Sequence, residues 1–361
     1  MAKGISIFLG MDYSWEQNRH YIQAAAAAGF SRIFTSLHIP EADYDRIIGE
    51  FKQFLQLAQS LKMAVTADIS PNAYHYLGIN ADDLAALRAL GIETLRLDYG
   101  FKAQRIANYS NNAVGLKIEL NASTISEQFL DEIIAAGANP ANLSACHNYY
   151  PRKNTGISLE SLQHKNQLFA KFNIPLTAFI SLPNNRRGPL YEGLPTVECL
   201  REVAPSVAMQ YLWAAGVEHV SVGDALASDA IIQHLGRLSP EIIELDVVDY
   251  NPSPVYQELL QQLHTNRPDS AADVVRSQES RLILLENSYK SANIPVENCV
   301  ARPRGSITVD NNQYLRYCGE LQIARRDLPA DSRVNVIGQL SADSLLLLDF
   351  IGDSRKFRFK I

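Results

Sequence analysis

Two acidic residues stand at matching positions in neighbouring β-like segments of the sequence. Asp98 ends the run Thr-Leu-Arg-Leu-Asp, and Glu119 lies in the run Leu-Lys-Ile-Glu-Leu-Asn. Side chains alternate between the two faces of a strand. The leucines of the first run therefore face one side, while the opposite side of the two runs receives Arg96, Asp98, Lys117, Glu119 and Asn121.

A pair of carboxyls on adjacent strands has the chemistry of a glycoside hydrolase. Neighbouring strands lie about 4.8 Å apart, which predicts carboxyl groups roughly 5–7 Å apart. One carboxyl would protonate the leaving oxygen, and the other would stabilise or attack the developing oxocarbenium ion. This spacing leaves retaining, inverting and acetamido-assisted mechanisms open. A structural ion-pair network of Asp98 and Glu119 with Arg96 and Lys117 is the alternative interpretation.

Polar residues also end most of the other β-like segments. Among them, the predicted substrate contacts are Asp12, His38, Asn121, His147 and Asn148, and Asp68 and Asp224 hold comparable positions. The histidines and carboxylates have no close metal-ligand spacing. We therefore predict a site without metal or cofactor, with divalent-metal binding through His38, His147 and the carboxylates as the alternative.

Two arginine pairs are candidates for binding an anion. Arg186 and Arg187 lie in a long proline-containing loop after the seventh β-like segment, and Arg302 and Arg304 lie in Ala-Arg-Pro-Arg-Gly-Ser. Guanidinium groups form forked hydrogen bonds with phosphate oxygens. We predict that these arginines hold a phosphate. A solvated turn or a domain interface is the alternative for the second pair.

These residues require a scaffold that brings strand ends together. The first part of the chain alternates eight β-like runs with amphipathic helical segments, which predicts an α/β fold with a (β/α)8 TIM-type barrel over residues 1–238. Over residues 239–361, short β-like runs separated by turn residues predict a small β-rich domain. The predicted strands include 314–317 and 345–350. In such a barrel, the carboxyl ends of the strands meet at one mouth.

Composition limits the classes of partner. The chain has 361 residues and a net charge of -6, which disfavours a broad nucleic-acid surface. The four cysteines are widely spaced, and the start has no leader pattern. No apolar run is long enough for a membrane span. We expect a cytoplasmic protein with reduced thiols, and we make no prediction of its oligomeric state.

Longer stretches of the sequence resemble a known bacterial family. They are residues 4–14 (Gly-Ile-Ser-Ile-Phe-Leu-Gly-Met-Asp-Tyr-Ser), 29–41, 95–100, 146–152 (Cys-His-Asn-Tyr-Tyr-Pro-Arg), 187–198 and 264–269. This pattern is similar to the 6-phospho-N-acetylmuramidases, once labelled uncharacterised or "outer surface" proteins. The resemblance implies a barrel joined to a cyclophilin-like domain. It also implies cleavage of 6-phospho-N-acetylmuramyl-N-acetylglucosamine into N-acetylmuramic acid 6-phosphate and N-acetylglucosamine during cell-wall recycling.

Two other functions remain open from the sequence. A metal-dependent sugar-phosphate aldolase or isomerase would use the same type of barrel mouth. A protein that binds sugar phosphates without catalysis would also need the arginines. The ring of ionisable strand ends favours an enzyme.

Overall fold

The computed structural model describes residues 1–36, 44–68, 79–80, 82–98, 100–286 and 293–361. The chain divides into two compact units, Met1–Arg237 and Leu238–Ile361.

The first unit is a closed barrel of eight parallel strands in sequential order. Its strands are β1 (Ala2–Ile7), β2 (Arg32–Ser36), β3 (Ala64–Asp68), β4 (Thr94–Leu97), β5 (Lys117–Asn121), β6 (Leu143–Cys146), β7 (Leu176–Ile180) and β8 (His219–Val222). The strand β1 pairs with both β2 and β8, which closes the barrel. The predicted TIM-type barrel is thus confirmed.

Helices alternate with these strands. They are α1 (Trp15–Ala27), α2 (Tyr44–Ser60), α3 (Leu84–Leu90), α4 (Ala103–Ser110), α5 (Glu127–Ala135), α6 (Leu159–Ala170), α7 (Pro205–Ala214) and α8 (Asp229–Arg237). A capping box of Ser14 and Gln17 starts α1, and Gly91 ends α3 in the left-handed conformation that glycine favours. Within the described ranges, no helix is both long and apolar enough to cross a membrane.

The second unit contains a seven-stranded mixed sheet. Its strands are β9 (Ile242–Tyr250), β10 (Leu263–Thr265), β11 (Val274–Arg276), β12 (Ser306–Asp310), β13 (Leu321–Ala324), β14 (Val334–Leu340) and β15 (Lys356–Lys360). Their order in the sheet is β10-β15-β9-β14-β12-β13-β11. Two helices, α9 (Pro254–Leu260) and α10 (Ser280–Glu286), accompany the sheet. The prediction of a β-rich second part is confirmed.

The prediction of two strands in this unit is wrong. Residues 314–317 lie in the 3₁₀ segment Asn312–Tyr317, and 345–350 lie in the 3₁₀ segment Ser344–Phe350. Asn311 accepts a hydrogen bond from the backbone N–H of Gln313 and starts the first of these turns. The second contains four successive leucines, and such a run has no periodicity that separates a strand from a helical turn.

Candidate active site

Strand register places five polar residues in one row inside the barrel. The paired positions run from β2 to β6 through Ser36, Asp68, Arg96, Glu119 and Ser144. Residues paired in register share a face of the sheet, so their side chains point to the same side. The leucines that flank Arg96 are buried on the opposite face, as the parity argument predicted.

Arg96 is the centre of this row. Its side chain is 5% exposed, and its guanidinium lies 3.8 Å from Glu119 Oε1 and 3.9 Å from Asp98 Oδ1. It also donates hydrogen bonds to the carbonyl of Cys146 at 3.1 Å and to Asn148 Oδ1 at 2.7 Å. Arg96 therefore links the two predicted carboxyls to the end of β6. The ion-pair alternative is thus present for Arg96, whereas Lys117 is exposed.

Glu119 lies next to Arg96 in this row and is almost fully buried. The residue is 1% exposed, and its Oε1 has no hydrogen-bond partner within the described part of the chain. Burial raises the pKa of the Glu119 carboxyl above its ordinary value, although the charge of Arg96 acts in the opposite direction. This geometry makes Glu119 a counter-charge that can fix the position of Arg96.

Asp98 is accessible to a ligand. Its side chain is 39% exposed. The amide of Asn121 donates to Asp98 Oδ1 at 2.8 Å. Both this bond and the approach of Arg96 reach Oδ1, so Oδ2 has no partner among the described residues. Asp98 thus presents one carboxyl oxygen to the mouth of the barrel.

A cavity of about 230 Å³ opens at this point. Three aromatic rings form one side of it, since Tyr149 packs edge-on against Phe34 and Phe179 at centroid distances of 6.0 and 5.2 Å. Carboxylates and a guanidinium form another side. The residues that line the cavity are Phe34, Ser36, Asp68, Arg96, Asp98, His147, Asn148, Tyr149 and Phe179.

His147 lines the cavity, but both of its ring nitrogens are engaged within the protein. Its Nε2 lies 2.9 Å from Asn166 Oδ1, and its Nδ1 lies 3.3 Å from the hydroxyl of Ser123. Because the Asn166 amide donates to the carbonyl of Ala215, Asn166 Oδ1 accepts from Nε2–H. Burial lowers the pKa of His147 to about 4, so the ring is neutral near pH 7. Its predicted hydrogen bond to substrate would require breaking one of these bonds.

Two aspartates hold the loop that follows β7. Asp12 accepts from the backbone N–H of Gly188 and from the hydroxyl of Tyr191, each at 2.9 Å. The fully buried Asp224 accepts from the backbone N–H groups of Leu182 and Arg187. Both aspartates therefore position this loop, and Asp12 does so with both of its oxygens.

The two arginines of the loop have different environments. Arg186 is held by two hydrogen bonds to Glu202, at 3.1 and 2.6 Å, and by backbone carbonyls. Arg187 lies over the ring of Phe8, 4.7 Å from its centroid, and its Nη1 is 3.3 Å from the hydroxyl of Tyr149. No described carboxylate lies within 4 Å of Arg187. Arg187 is thus the better placed of the two to meet an anion at the cavity.

Three predicted site residues remain. Arg302 and Arg304 belong to the second unit, where Arg302 donates to the carbonyl of Pro329 at 3.0 Å and Arg304 forms an ion pair with Asp349 at 3.0 Å. His38 lies outside the described residues.

Comparisons with known proteins agree with this architecture. Residues 3–237 match the N-terminal model of the 6-phospho-N-acetylmuramidases, and residues 243–360 match the C-terminal model. The chain belongs to the 6-phospho-N-acetylmuramidase family. The predicted family is therefore confirmed.

Solved structures also resemble this 6-phospho-N-acetylmuramidase family member over the whole chain. An uncharacterised B. cereus protein is 33% identical, with a TM-score of 0.87, and the match covers 100% of this chain and 99% of that one. A conserved Enterococcus faecalis protein of unknown function is also 33% identical, with a TM-score of 0.80 and coverages of 100% and 96%. A comparison with curated proteins gives no match.

Among the described residues, no group of three or more histidine, cysteine, aspartate or glutamate side chains is arranged to hold a metal ion.

One carboxylate and the aromatic side of the cavity were not among the predicted site residues. Asp68 lines the cavity and is paired in register with Arg96, yet it was predicted only as one strand end among several. Phe34 and Phe179 occupy inward positions of β2 and β7. The parity that selected Asp98 also selects these rings, so the signal was present in the sequence.

An ion pair between the buried Arg201 and the partly exposed Glu198 holds the loops around the cavity together. Arg201 binds both oxygens of Glu198, at 2.8 and 2.7 Å, and Glu198 also accepts from the backbone N–H groups of Asn154 and Gly156. These contacts join the loop after β6 to the loop after β7. The hydrogen bonds from Arg201 lower the pKa of the Glu198 carboxyl to about 2.

We expect Glu198→Gln to lower the free energy of unfolding by about 2 kcal/mol at pH 7, after allowance for partial exposure. A carboxyl whose folded pKa is depressed contributes stability above its unfolded pKa and loses that contribution as the pH falls toward its folded pKa. The deficit should therefore shrink between about pH 4.5 and pH 2. Denaturant titrations at several pH values would test this against Glu132→Gln, an exposed control. An equal deficit at every pH would contradict it.

Proposed function

We propose that this family member hydrolyses 6-phospho-N-acetylmuramyl-N-acetylglucosamine to N-acetylmuramic acid 6-phosphate and N-acetylglucosamine in cell-wall recycling. Asp98 donates a proton to the leaving oxygen as the glycosidic bond breaks, and a water molecule supplies the new hydroxyl. Asp68 stabilises the developing oxocarbenium ion or orients the substrate's acetamido group. The observation that carries the proposal is the cavity that Asp68, Arg96 and Asp98 line together.

The surroundings of Asp98 orient its carboxyl. One oxygen accepts a hydrogen bond from Asn121 and lies near Arg96, while the other oxygen has no partner among the described residues and is available for a contact with the leaving oxygen. Glu119 was predicted as the second catalytic carboxyl. Its burial and its contact with Arg96 favour an action through that arginine.

Arg187 provides the proposed contact to the 6-phosphate. Its guanidinium is already oriented by Phe8, Tyr149 and the carbonyl of Gly188. A preoriented guanidinium loses less side-chain freedom when it binds an anion. The four cysteines are free thiols, which fits the proposal that the enzyme acts in a reducing compartment on an imported sugar.

The proposed function is tested by release of N-acetylglucosamine from the 6-phosphorylated disaccharide and from its unphosphorylated twin, both with a chelator. Cleavage of only the phosphorylated sugar is expected. Activity that requires added divalent metal would instead favour the aldolase or isomerase class. Binding of both sugars without turnover would favour a sugar-phosphate-binding protein.

We expect Arg187→Met to raise KM for the phosphorylated disaccharide by about 10–100-fold, because the variant loses charged hydrogen bonds of about 1.5–3 kcal/mol. The change in kcat should be small. Arg186→Met is the matched control, since it removes the neighbouring arginine that is bound to Glu202. A larger rise in KM for the Arg186 variant than for the Arg187 variant would show that Arg187 is not the phosphate-binding arginine.

A further inference from the structure

A second cavity lies beside the first at the carboxyl ends of β4 and β5. Its volume is about 300 Å³, near the lower end of small-molecule pockets. Its walls come from the segments after these strands and from the helices α4 and α5. Phe101, Ile106, Ile125 and Phe129 supply apolar surface, and Asn121 lies at its edge.

Asp98 is shared by the linings of both cavities. It therefore stands between the space that contains Arg96 and the space between α4 and α5. A group that protonates a glycosidic oxygen must contact the atom that joins the two sugars. Its position between two cavities is the one expected if each cavity takes one sugar.

The charges of the two linings differ. The first cavity contains Arg96 and has Arg187 next to Tyr149. Among the described residues that line the second cavity, none is a lysine or an arginine, and the one charged group is Asp98. An anionic phosphate or lactyl group gains attraction in the first cavity and none in the second. The neutral half of the substrate fits the second cavity.

The rings of Phe101 and Phe129 suit such an occupant. A pyranose ring has an apolar face of C–H groups that packs on an aromatic ring, and an acetamido methyl group needs similar surroundings. The side chains of Thr124 and Ser126 lie on the same lining and are exposed, where hydroxyls can meet the sugar's own hydroxyls.

We propose that the cavity between α4 and α5 is the subsite for the leaving N-acetylhexosamine, with Phe129 as a specificity-determining residue. This assignment rests on the proposed function. It predicts that contacts in this cavity raise kcat/KM only for substrates whose leaving group is large enough to occupy it.

The experiment compares two substrates with the same phosphorylated sugar, namely the disaccharide and the glycosyl fluoride of the same anomeric configuration. Fluoride is too small to reach the second cavity and departs without a proton. For Phe129→Ala, kcat/KM for the disaccharide should fall about tenfold or more, the equivalent of about 1.4 kcal/mol of lost contact. The value for the fluoride should change less than about twofold.

Phe172→Ala is the matched control, because Phe172 is partly buried and lies in the connection between α6 and β7, at the opposite end of the barrel. It should affect both substrates equally. Phe129→Leu keeps the apolar bulk but lacks the ring, and it replaces the alanine variant in the experiment if that variant does not fold. An equal loss on both substrates, or no loss on either, overturns the subsite. If the wild-type protein cleaves neither substrate, the proposed function fails and the subsite fails with it.

Discussion

Asp98→Asn is expected to slow hydrolysis of the phosphorylated disaccharide by about 10²–10⁴-fold, the usual contribution of a positioned general acid. Asparagine keeps the size of the side chain and can still accept the hydrogen bond from Asn121, so the fold should be retained. The variant lacks a proton to give to the leaving oxygen. The measurement is kcat for N-acetylglucosamine release, together with a thermal unfolding curve.

The glycosyl fluoride separates the proposed role of Asp98 from that of Asp68. Because fluoride leaves without protonation, Asp98→Asn should retain most of its kcat/KM for that substrate, which covers the steps up to departure of the leaving group. Asp68→Asn should lose activity on both substrates, since it removes a group that acts on the sugar ring itself. If Asp98→Asn lowers kcat/KM for the fluoride as much as for the disaccharide, Asp98 is not the proton donor. If Asp98→Asn cleaves the disaccharide with the kcat of the wild type, Asp98 has no part in the mechanism.

The barrel and the inward direction of its polar residues follow from short-range sequence patterns. Each strand is a brief β-like run, and the alternation of leucines with Arg96 and Asp98 leaves one consistent direction for each side chain. These features depend on neighbours within a few residues. The sequence therefore predicted the fold and the mouth of the barrel.

The depth of each residue in the barrel was not predictable in this way. Parity gives Glu119 and Asp98 the same face, but it does not show that Glu119 is paired with Arg96 while Asp98 lies one step nearer the opening. That difference depends on strand register, which joins segments more than 20 residues apart. The predicted carboxyl pair therefore contained one accessible and one buried group.

The different environments of two adjacent loop residues were likewise not predictable from the sequence. Arg186 and Arg187 were equivalent in the sequence, yet Arg186 pairs with Glu202 and Arg187 lies over Phe8. The loop takes this form because Asp12 and Asp224 bind its backbone. Both aspartates come from other strand ends, so the sequence of the loop alone does not contain the information.

Arg96→Met should reduce turnover at least as strongly as Asp98→Asn and also destabilise the barrel. The substitution leaves Glu119 buried without its counter-charge, and breaking a buried ion pair in this way costs about 3–5 kcal/mol. Asn148 and Asp98 also lose the group that lies between them. Denaturant unfolding and kcat on the disaccharide measure the two effects.

Adding Glu119→Gln to Arg96→Met decides how Glu119 acts. If Glu119 serves only to hold Arg96, the double variant should be more stable than Arg96→Met, because no charge remains buried and unpaired. Its kcat should also equal that of Arg96→Met, since the position of Arg96 is the only thing that Glu119 controls. If Glu119 instead contacts the reacting atoms, the losses in kcat should multiply, and Glu119→Gln alone should be slower by several orders of magnitude. The cycle of wild type, two single variants and the double variant thus separates a positioning carboxyl from a catalytic one.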